Sequence, residues 1–255
     1  MTTNSKKRRL DTLLVDRGLA ASRPRARAMI LAGQVRLDSN VAPKAGMMIP
    51  SEATVKVIEP DHPYVSRGGI KLAHALAELG VAARGRDALD IGASTGGFTD
   101  VLLRAGASRV VALDVGRGQL AWSLRQDPRV TVLDRINARA LDTATWPPDL
   151  SDFDLVTVDV AFISLTLIVP ELPGRLRPSG EILLLVKPQF EAGRSEVGKG
   201  GLVTDPAVQA RAIERVCAAV DRIGLTVVNS IESPITGAKG NREFFLHLRH
   251  REDTA

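Results

Sequence analysis

Lys71, Asp159, Lys187 and Glu243 are the residues of this chain whose types could do chemistry together. Two ammonium groups and two carboxylates brought to one point can take a proton from a weakly acidic hydroxyl. A lysine serves as that base only when burial or a neighbouring cation lowers its pKa towards neutrality. Lys71 could be that cation for Lys187, with Asp159 and Glu243 orienting the ammonium groups and holding the hydroxyl. Two structural ion pairs would use the same four residues. Lys187 follows the apolar run Ile182–Val186, where an ammonium is costly without an acidic partner or a task.

For these residues to meet, the elements around them must place them at one edge. Strands are predicted at Ala88–Ile91, Arg109–Leu113, Val130–Leu133, Leu155–Val158, Ile182–Val186, Thr226–Ile231 and Phe244–Leu248, with an amphipathic helix over Pro206–Ile223. Alternating strands and helices give a mainly parallel, doubly wound α/β sheet, whose ligands sit beyond the carboxyl ends of the strands. Asp159 and Lys187 end two of these strands. Glu243 begins the last one, and reaches the same edge only if that strand runs antiparallel. Lys71 belongs to a helix over Val65–Gly80 that leads into the sheet.

At the same edge lies a Gly-rich loop. Asp90-Ile91-Gly92-Ala93-Ser94-Thr95-Gly96-Gly97-Phe98 follows an apolar strand and precedes a helix, so its glycines can turn sharply and approach a ligand. Neither the GxGxxG frame of a dinucleotide site nor the Gly-Lys-Ser/Thr ending of a phosphate loop fits it. Asp114 ends the next strand, 22 residues after Gly92, where a carboxylate can take both ribose hydroxyls; a turn or cap role is the alternative. Asn137 follows the third strand and could face an adenine amino group. A Gly loop with a ribose acid and no phosphate machinery fits S-adenosylmethionine better than a dinucleotide. Its predicted contacts are Asp90, Gly92, Ala93, Ser94, Thr95, Gly96, Gly97, Phe98, Asp114, Asn137 and Asp159.

The N-terminal fifth differs in charge. Residues 1–58 hold 11 Lys+Arg against 4 Asp+Glu, whereas the remaining chain holds 23 against 25. The whole positive excess therefore belongs to that end and points to a polyanionic partner, against the alternative of a solvated basic face. Helical spacing over Arg9–Ala20 and Arg23–Ala32 is followed by short strands at Gln34–Leu37 and Thr54–Ile58, with a turn-rich stretch between them. Arg8, Arg9, Arg23, Arg25, Arg27 and Lys44 cluster there, and Arg67 precedes Lys71; these are the candidate RNA contacts. Glu59–Tyr64 holds two prolines and no periodicity. The expected units are accordingly residues 1–60, a linker at 61–65, and residues 66–255.

Arg9-Leu10-Asp11-Thr12-Leu13-Leu14, Ser22-Arg23-Pro24-Arg25-Ala26-Arg27 and Ile30-Leu31-Ala32-Gly33-Gln34-Val35 resemble the S4 RNA-binding domain, which implies two helices on a small sheet gripping structured RNA. Together with Ser66-Arg67-Gly68-Gly69-Ile70-Lys71-Leu72, the Gly92 loop, Asp114-Val115-Gly116, Lys187-Pro188-Gln189-Phe190-Glu191 and Gly240-Asn241-Arg242-Glu243, the chain resembles the TlyA (haemolysin A) family of rRNA cytidine-2′-O-methyltransferases over almost its whole length. The resemblance implies a Rossmann-like class I methyltransferase fold, a Lys-Asp-Lys-Glu tetrad at Lys71, Asp159, Lys187 and Glu243, and rRNA or ribosomal subunits as substrate. Members act on large-subunit rRNA or on both subunits' rRNA. The basic start Lys6-Lys7-Arg8-Arg9 leans to the broader type, the short tail after Arg251 to the narrower. Ala161 departs from the serine usual there.

Composition sets the remaining expectations. The longest apolar runs are of strand length, Met1–Arg9 lacks the apolar core of a secretion signal, and one cysteine, Cys217, excludes a disulfide framework. His62, His74, His247 and His250 have no metal-ligand spacing. A metal-free, cytoplasmic monomer is expected. The competing readings are a non-catalytic RNA-binding or ribosome-assembly factor, a haemolysin, which needs a membrane-inserting segment, and a nicotinamide oxidoreductase, which needs a different loop.

Overall fold

A computed structural model of the chain describes residues 7–251 apart from 21, 32, 39, 43, 59–61, 142–145, 149, 151 and 238. The N-terminal unit comprises β1 (Lys7–Arg9), α1 (Leu10–Asp16), α2 (Arg23–Leu31), β2 (Val35–Leu37), β3 (Asn40–Val41), β4 (Met48–Pro50) and β5 (Val55–Val57). Leu10, Leu13 and Leu14 of α1 bury against Ala26, Met29 and Ile30 of α2, with Val35 and Ile49 beneath. This i, i+3, i+4 spacing is what a small two-helix core requires. Gly33, two residues beyond α2, has a φ of +74° that suits a left-handed cap. β2 pairs with β3 and β5, and β1 with β4, all antiparallel. The stretch expected to be turns alone thus contributes β3 and β4. Strands of two or three residues carry too little alternation to be read from sequence.

The larger unit begins earlier than the expected linker allows. Val65 N donates to Asp100 Oδ2 at 3.0 Å, and Tyr64 packs so closely on Gly69 that a side chain there would strike its ring. Tyr64 and Val65 therefore belong to the larger unit. α3 (Gly68–Glu78) follows, three residues later than its predicted start, then β6 (Asp87–Ile91), α4 (Gly97–Arg104), β7 (Arg109–Asp114), α5 (Trp122–Arg125), β8 (Val130–Asp134), β9 (Phe153–Val158), β10 (Leu176–Val186), α6 (Pro188–Glu191), α7 (Pro206–Asp221), β11 (Leu225–Glu232) and β12 (Phe244–His250).

Seven strands form one sheet in the order β11-β12-β10-β9-β6-β7-β8. β6 to β10 run parallel, and β12 lies antiparallel between β10 and β11. One face of the sheet buries Leu89, Val156, Ile182 and Leu184 with Val216 and Val220 of α7. The other buries Ala88, Val110, Leu183 and Leu185 with Leu72 of α3 and Leu102 of α4. Both faces are covered, which is why the central strands read as continuous apolar runs.

Candidate active site

Register places the four candidate groups. Val186 at the end of β10 pairs with Phe244 at the start of β12, so Lys187 and Glu243, one residue beyond, share the carboxyl edge. Asp159 follows β9, and its N–H donates to Ile91 O at the end of β6 at 2.9 Å. α3 crosses the same edge and points Lys71 inwards. Lys71 Nζ donates to Glu243 Oε2 at 2.5 Å, and both side chains are nearly buried. Lys187 Nζ lies 2.5 Å from Asp159 Oδ1. That ion pair is off the line of a hydrogen bond, and Oδ1 is a buried atom accepting none.

The electrostatics invert one expectation. Burial pushes the Lys187 pKa down, but the charges of Asp159 and Glu243 outweigh it, so the net direction is upward. Burial likewise pushes Asp159 up, and the charges of Lys187 and Lys71 carry it below the ordinary carboxylate value. Lys187 is therefore a paired ammonium in the resting protein, not an amine poised near neutrality. Lys71 faces Glu243, so it does not act as the cation that would lower Lys187.

Three cavities meet at this tetrad. One of about 210 Å³ is lined by the Gly loop, Arg67, Lys71 and Asp159. A second, of about 560 Å³, runs from Gly92 and Asp159 past Asp114, Val115, Ile136, Asn137 and Ile163. A third, of about 300 Å³, holds Lys71, Lys187 and Glu243 at one end and Phe162 and Phe190 at the other. Gly92 has φ +85°, and a side chain there would collide with the carbonyl oxygen of Asp159. The loop can therefore pass against Asp159 only as glycine. Gly96, also left-handed at φ +97°, is closed over by Leu120 and Leu124. Asp114 accepts from Ser94 N at 2.8 Å and Gly116 N at 2.6 Å. Each of its oxygens keeps an acceptor site for a ligand hydroxyl.

Of the predicted loop contacts, Ala93, Ser94, Thr95, Gly97 and Phe98 line the smaller cavity, and Asn137 lines the larger while its Oδ1 accepts from Arg139 N. Asp90 does not reach a cavity. Its carboxylate is fully buried under the loop, accepting from Thr99 Oγ1 at 2.6 Å and Thr157 Oγ1 at 3.0 Å. Strand alternation explains the correction: Asp90 faces α4 and is a brace, not a cofactor contact.

Sequence reasoning missed several wall residues. Val115 is 72% exposed beside Asp114, and Phe162 is 91% exposed at φ +66°, a backbone region costly for an aromatic residue. Nothing in the sequence marks that strain. Glu191 anchors the loop that carries Phe162. It accepts from Ser164 Oγ at 2.6 Å and Leu165 N at 2.8 Å, and burial raises its pKa. The motif Lys187–Glu191 was visible; its partner loop was not.

The basic residues divide into two groups. Arg8 pairs with Asp16. Arg9 makes two bonds to buried Asp11, which hold that carboxyl down at about 2. Arg8 and Arg9 thus also serve the fold. Arg25, Arg27, Lys44 and Arg67 form no ion pair among the described residues, and Arg23 reaches Asp11 only at 3.4 Å. Arg23 and Arg27 line a groove with Arg117 of the loop after β7, a residue the charge count did not single out.

A small α+β unit of this kind before a Rossmann-like sheet with a Gly loop and a Lys-Asp-Lys-Glu tetrad defines an RNA-modifying methyltransferase architecture. Residues 64–250 match the FtsJ-like methyltransferase family and residues 8–55 the S4 domain. The chain belongs to the TlyA family. It is 46% identical over 98% of its length to the 16S/23S rRNA (cytidine-2′-O)-methyltransferase TlyA of Mycobacterium tuberculosis, covering 93% of that protein. It is 38% identical over 94% of its length to Hemolysin A of Brachyspira hyodysenteriae, covering 99% of it. A hemolysin-named protein of Streptococcus thermophilus superposes with a TM-score of 0.71 at 40% identity, over 96% of this chain and 89% of that one.

Proposed function

We propose that this chain methylates the ribose 2′-oxygen of a cytidine in ribosomal RNA, with S-adenosylmethionine as donor. The observation that carries the reading is the pair of Lys–carboxylate contacts where a cofactor-sized cavity meets a separate acceptor cavity. The donor fits the residues present. Asp114 offers acceptors for ribose hydroxyls, Val115, Ile136 and Ile163 offer apolar walls for a purine, and Gly92 leaves the space that a side chain would fill. Bound S-adenosylmethionine supplies a methyl already activated on sulfonium. The relatives' printed rRNA activity supports the acceptor. So does Phe162, an exposed ring of the kind that stacks on unpaired bases.

The tetrad's task is to hold the hydroxyl in line and take its proton as oxygen attacks. Lys187 reaches its amine form when the hold of Asp159 weakens, because burial then dominates. A cation lodged against Asp159 has that effect. Having released its own proton to solvent, Lys187 would then accept the hydroxyl proton on its lone pair, and the donor, when bound, would supply the methyl to that oxygen. Lys71 and Glu243 fix the opposite side of the acceptor. Among the described residues no helix is long and apolar enough to cross a membrane.

Transfer of labelled methyl from S-adenosylmethionine to purified small and large ribosomal subunits tests the proposal, with Lys187→Ala alongside. Label in RNA that the variant loses, with cofactor affinity within about tenfold, is expected because the base acts on the hydroxyl. RNA binding without label in the wild-type protein would turn the tetrad into a structural ion-pair cluster.

A further inference from the structure

The acceptor cavity contains a polar group that neither the catalytic pairs nor the fold uses. Gln189, on α6 directly after the catalytic strand, lines this cavity, and its Oε1 is buried with no hydrogen-bond partner. The other neutral polar side chain there has both ends of its amide engaged. Asn241 Oδ1 accepts from Val203 N at 2.8 Å, and its Nδ2 donates to Gly201 O at 2.8 Å. Glu243 is held by Lys71. A buried acceptor left without a donor is costly, and a ligand donor would relieve it. Lys71, Lys187 and Lys239 bring three ammonium groups to the same cavity, and their field favours an amide oxygen over an NH₂ end once a ligand draws the Gln189 side chain towards it.

On the proposed reading, the acceptor's 2′-oxygen lies at Lys71 and Lys187, so its base extends towards Phe162, Phe190 and Gln189. Cytosine and uracil differ on their pairing edge at N3, bare in one and protonated in the other, and at the 4-position, where cytosine carries an exocyclic amino donor and uracil a carbonyl acceptor. An unsatisfied buried oxygen accepts from the first and repels the second. We infer that Gln189 is a specificity-determining residue that reads the 4-amino group of the target cytosine through Oε1. This rests on the methyltransferase reading and names what selects its base.

The test begins by mapping the nucleotide that the wild-type protein labels in RNA. Transcripts carrying cytidine or uridine at that position are then compared as substrates for wild type, Gln189→Ala and Gln189→Met, the last keeping the side chain's bulk. Wild type should prefer cytidine by at least about tenfold, the scale of one lost buried hydrogen bond. Both variants should bring the cytidine-to-uridine ratio of kcat/KM to within about threefold of unity, with S-adenosylmethionine affinity unchanged. A merely structural role would lower both rates and leave the ratio in place. That result, or a wild type indifferent to the base, overturns the inference. A wild type that labels no RNA overturns the proposed function itself.

Discussion

Replacing Asp90 by asparagine should change how the stability of the catalytic unit depends on pH. Burial pushes the Asp90 carboxyl from 3.8 up to about 7, against the bonds from Thr99 and Thr157, and the charge of Asp159 adds to the rise. The folded protein thus holds this proton more tightly than the unfolded chain does. Its stabilising contribution is fully present below the unfolded value and is lost as pH rises through about 7. A rise of about 3 units at about 1.4 kcal/mol each amounts to about 4 kcal/mol. The amide of the Asp90→Asn variant would keep an oxygen to accept from one threonine hydroxyl, would donate its NH₂ to the other, and has nothing to ionise. The stability difference between the two proteins should therefore shift by about 4 kcal/mol between pH 4 and pH 8, in favour of the variant at the higher pH. Urea melts at a series of pH values measure this. The two tryptophans of the chain, Trp122 and Trp146, lie in the catalytic unit and report its unfolding by fluorescence. A difference that stays constant with pH would refute the assignment of a buried, proton-holding brace.

Asp159→Asn removes the largest charge that raises Lys187, so burial should pull the lysine pKa down. The residual methyl-transfer activity should then begin its rise at lower pH than wild type; an unmoved profile would mean that Lys187 is not the group titrating. Gly92→Ala places a side chain against the Asp159 carbonyl in a left-handed backbone, at a cost of roughly 2–5 kcal/mol. Thermal melts and calorimetric titration with S-adenosylmethionine should show lower stability and weaker binding, and unaltered values of both would contradict the close approach. Replacing Arg23, Arg25 and Arg27 by alanine should weaken RNA binding and flatten its salt dependence by about one unit of slope per lost phosphate contact. An Arg117→Ala variant should repeat this on a smaller scale if the groove carries RNA, and equal slopes for all proteins would place the RNA elsewhere.

The seven strands of the catalytic sheet were legible because central parallel strands are buried on both faces and stand out as apolar runs. That regularity also brought Lys71, Asp159, Lys187 and Glu243 to one edge, since parallel strands end together and the returning β12 starts where they stop. What escaped reading depends on contacts between distant segments. Asp90, near the end of a predicted strand and beside the Gly loop, reads like a cofactor contact, and only the side of β6 it faces makes it a brace. The direction of the Lys187 shift follows from how closely Asp159 approaches. The strain at Phe162, the anchoring by Glu191 and the unspent oxygen of Gln189 all arise where separate loops pack. β3 and β4 are too short for any pattern.

On the proposed reading, the position of β12 makes catalysis all-or-none with respect to chain integrity. Lys71 and the Glu243 it binds are 172 residues apart in sequence, and the strand that delivers Glu243 is wedged between two others rather than added at an edge. Clipping or unravelling β12 would remove one member of the tetrad and also part β10 from β11. A damaged molecule is then silent instead of slow or unselective. During refolding, the return of methyl transfer should coincide with the slowest, most long-range step of sheet assembly, so turnover itself serves as a gauge of how many molecules have finished folding.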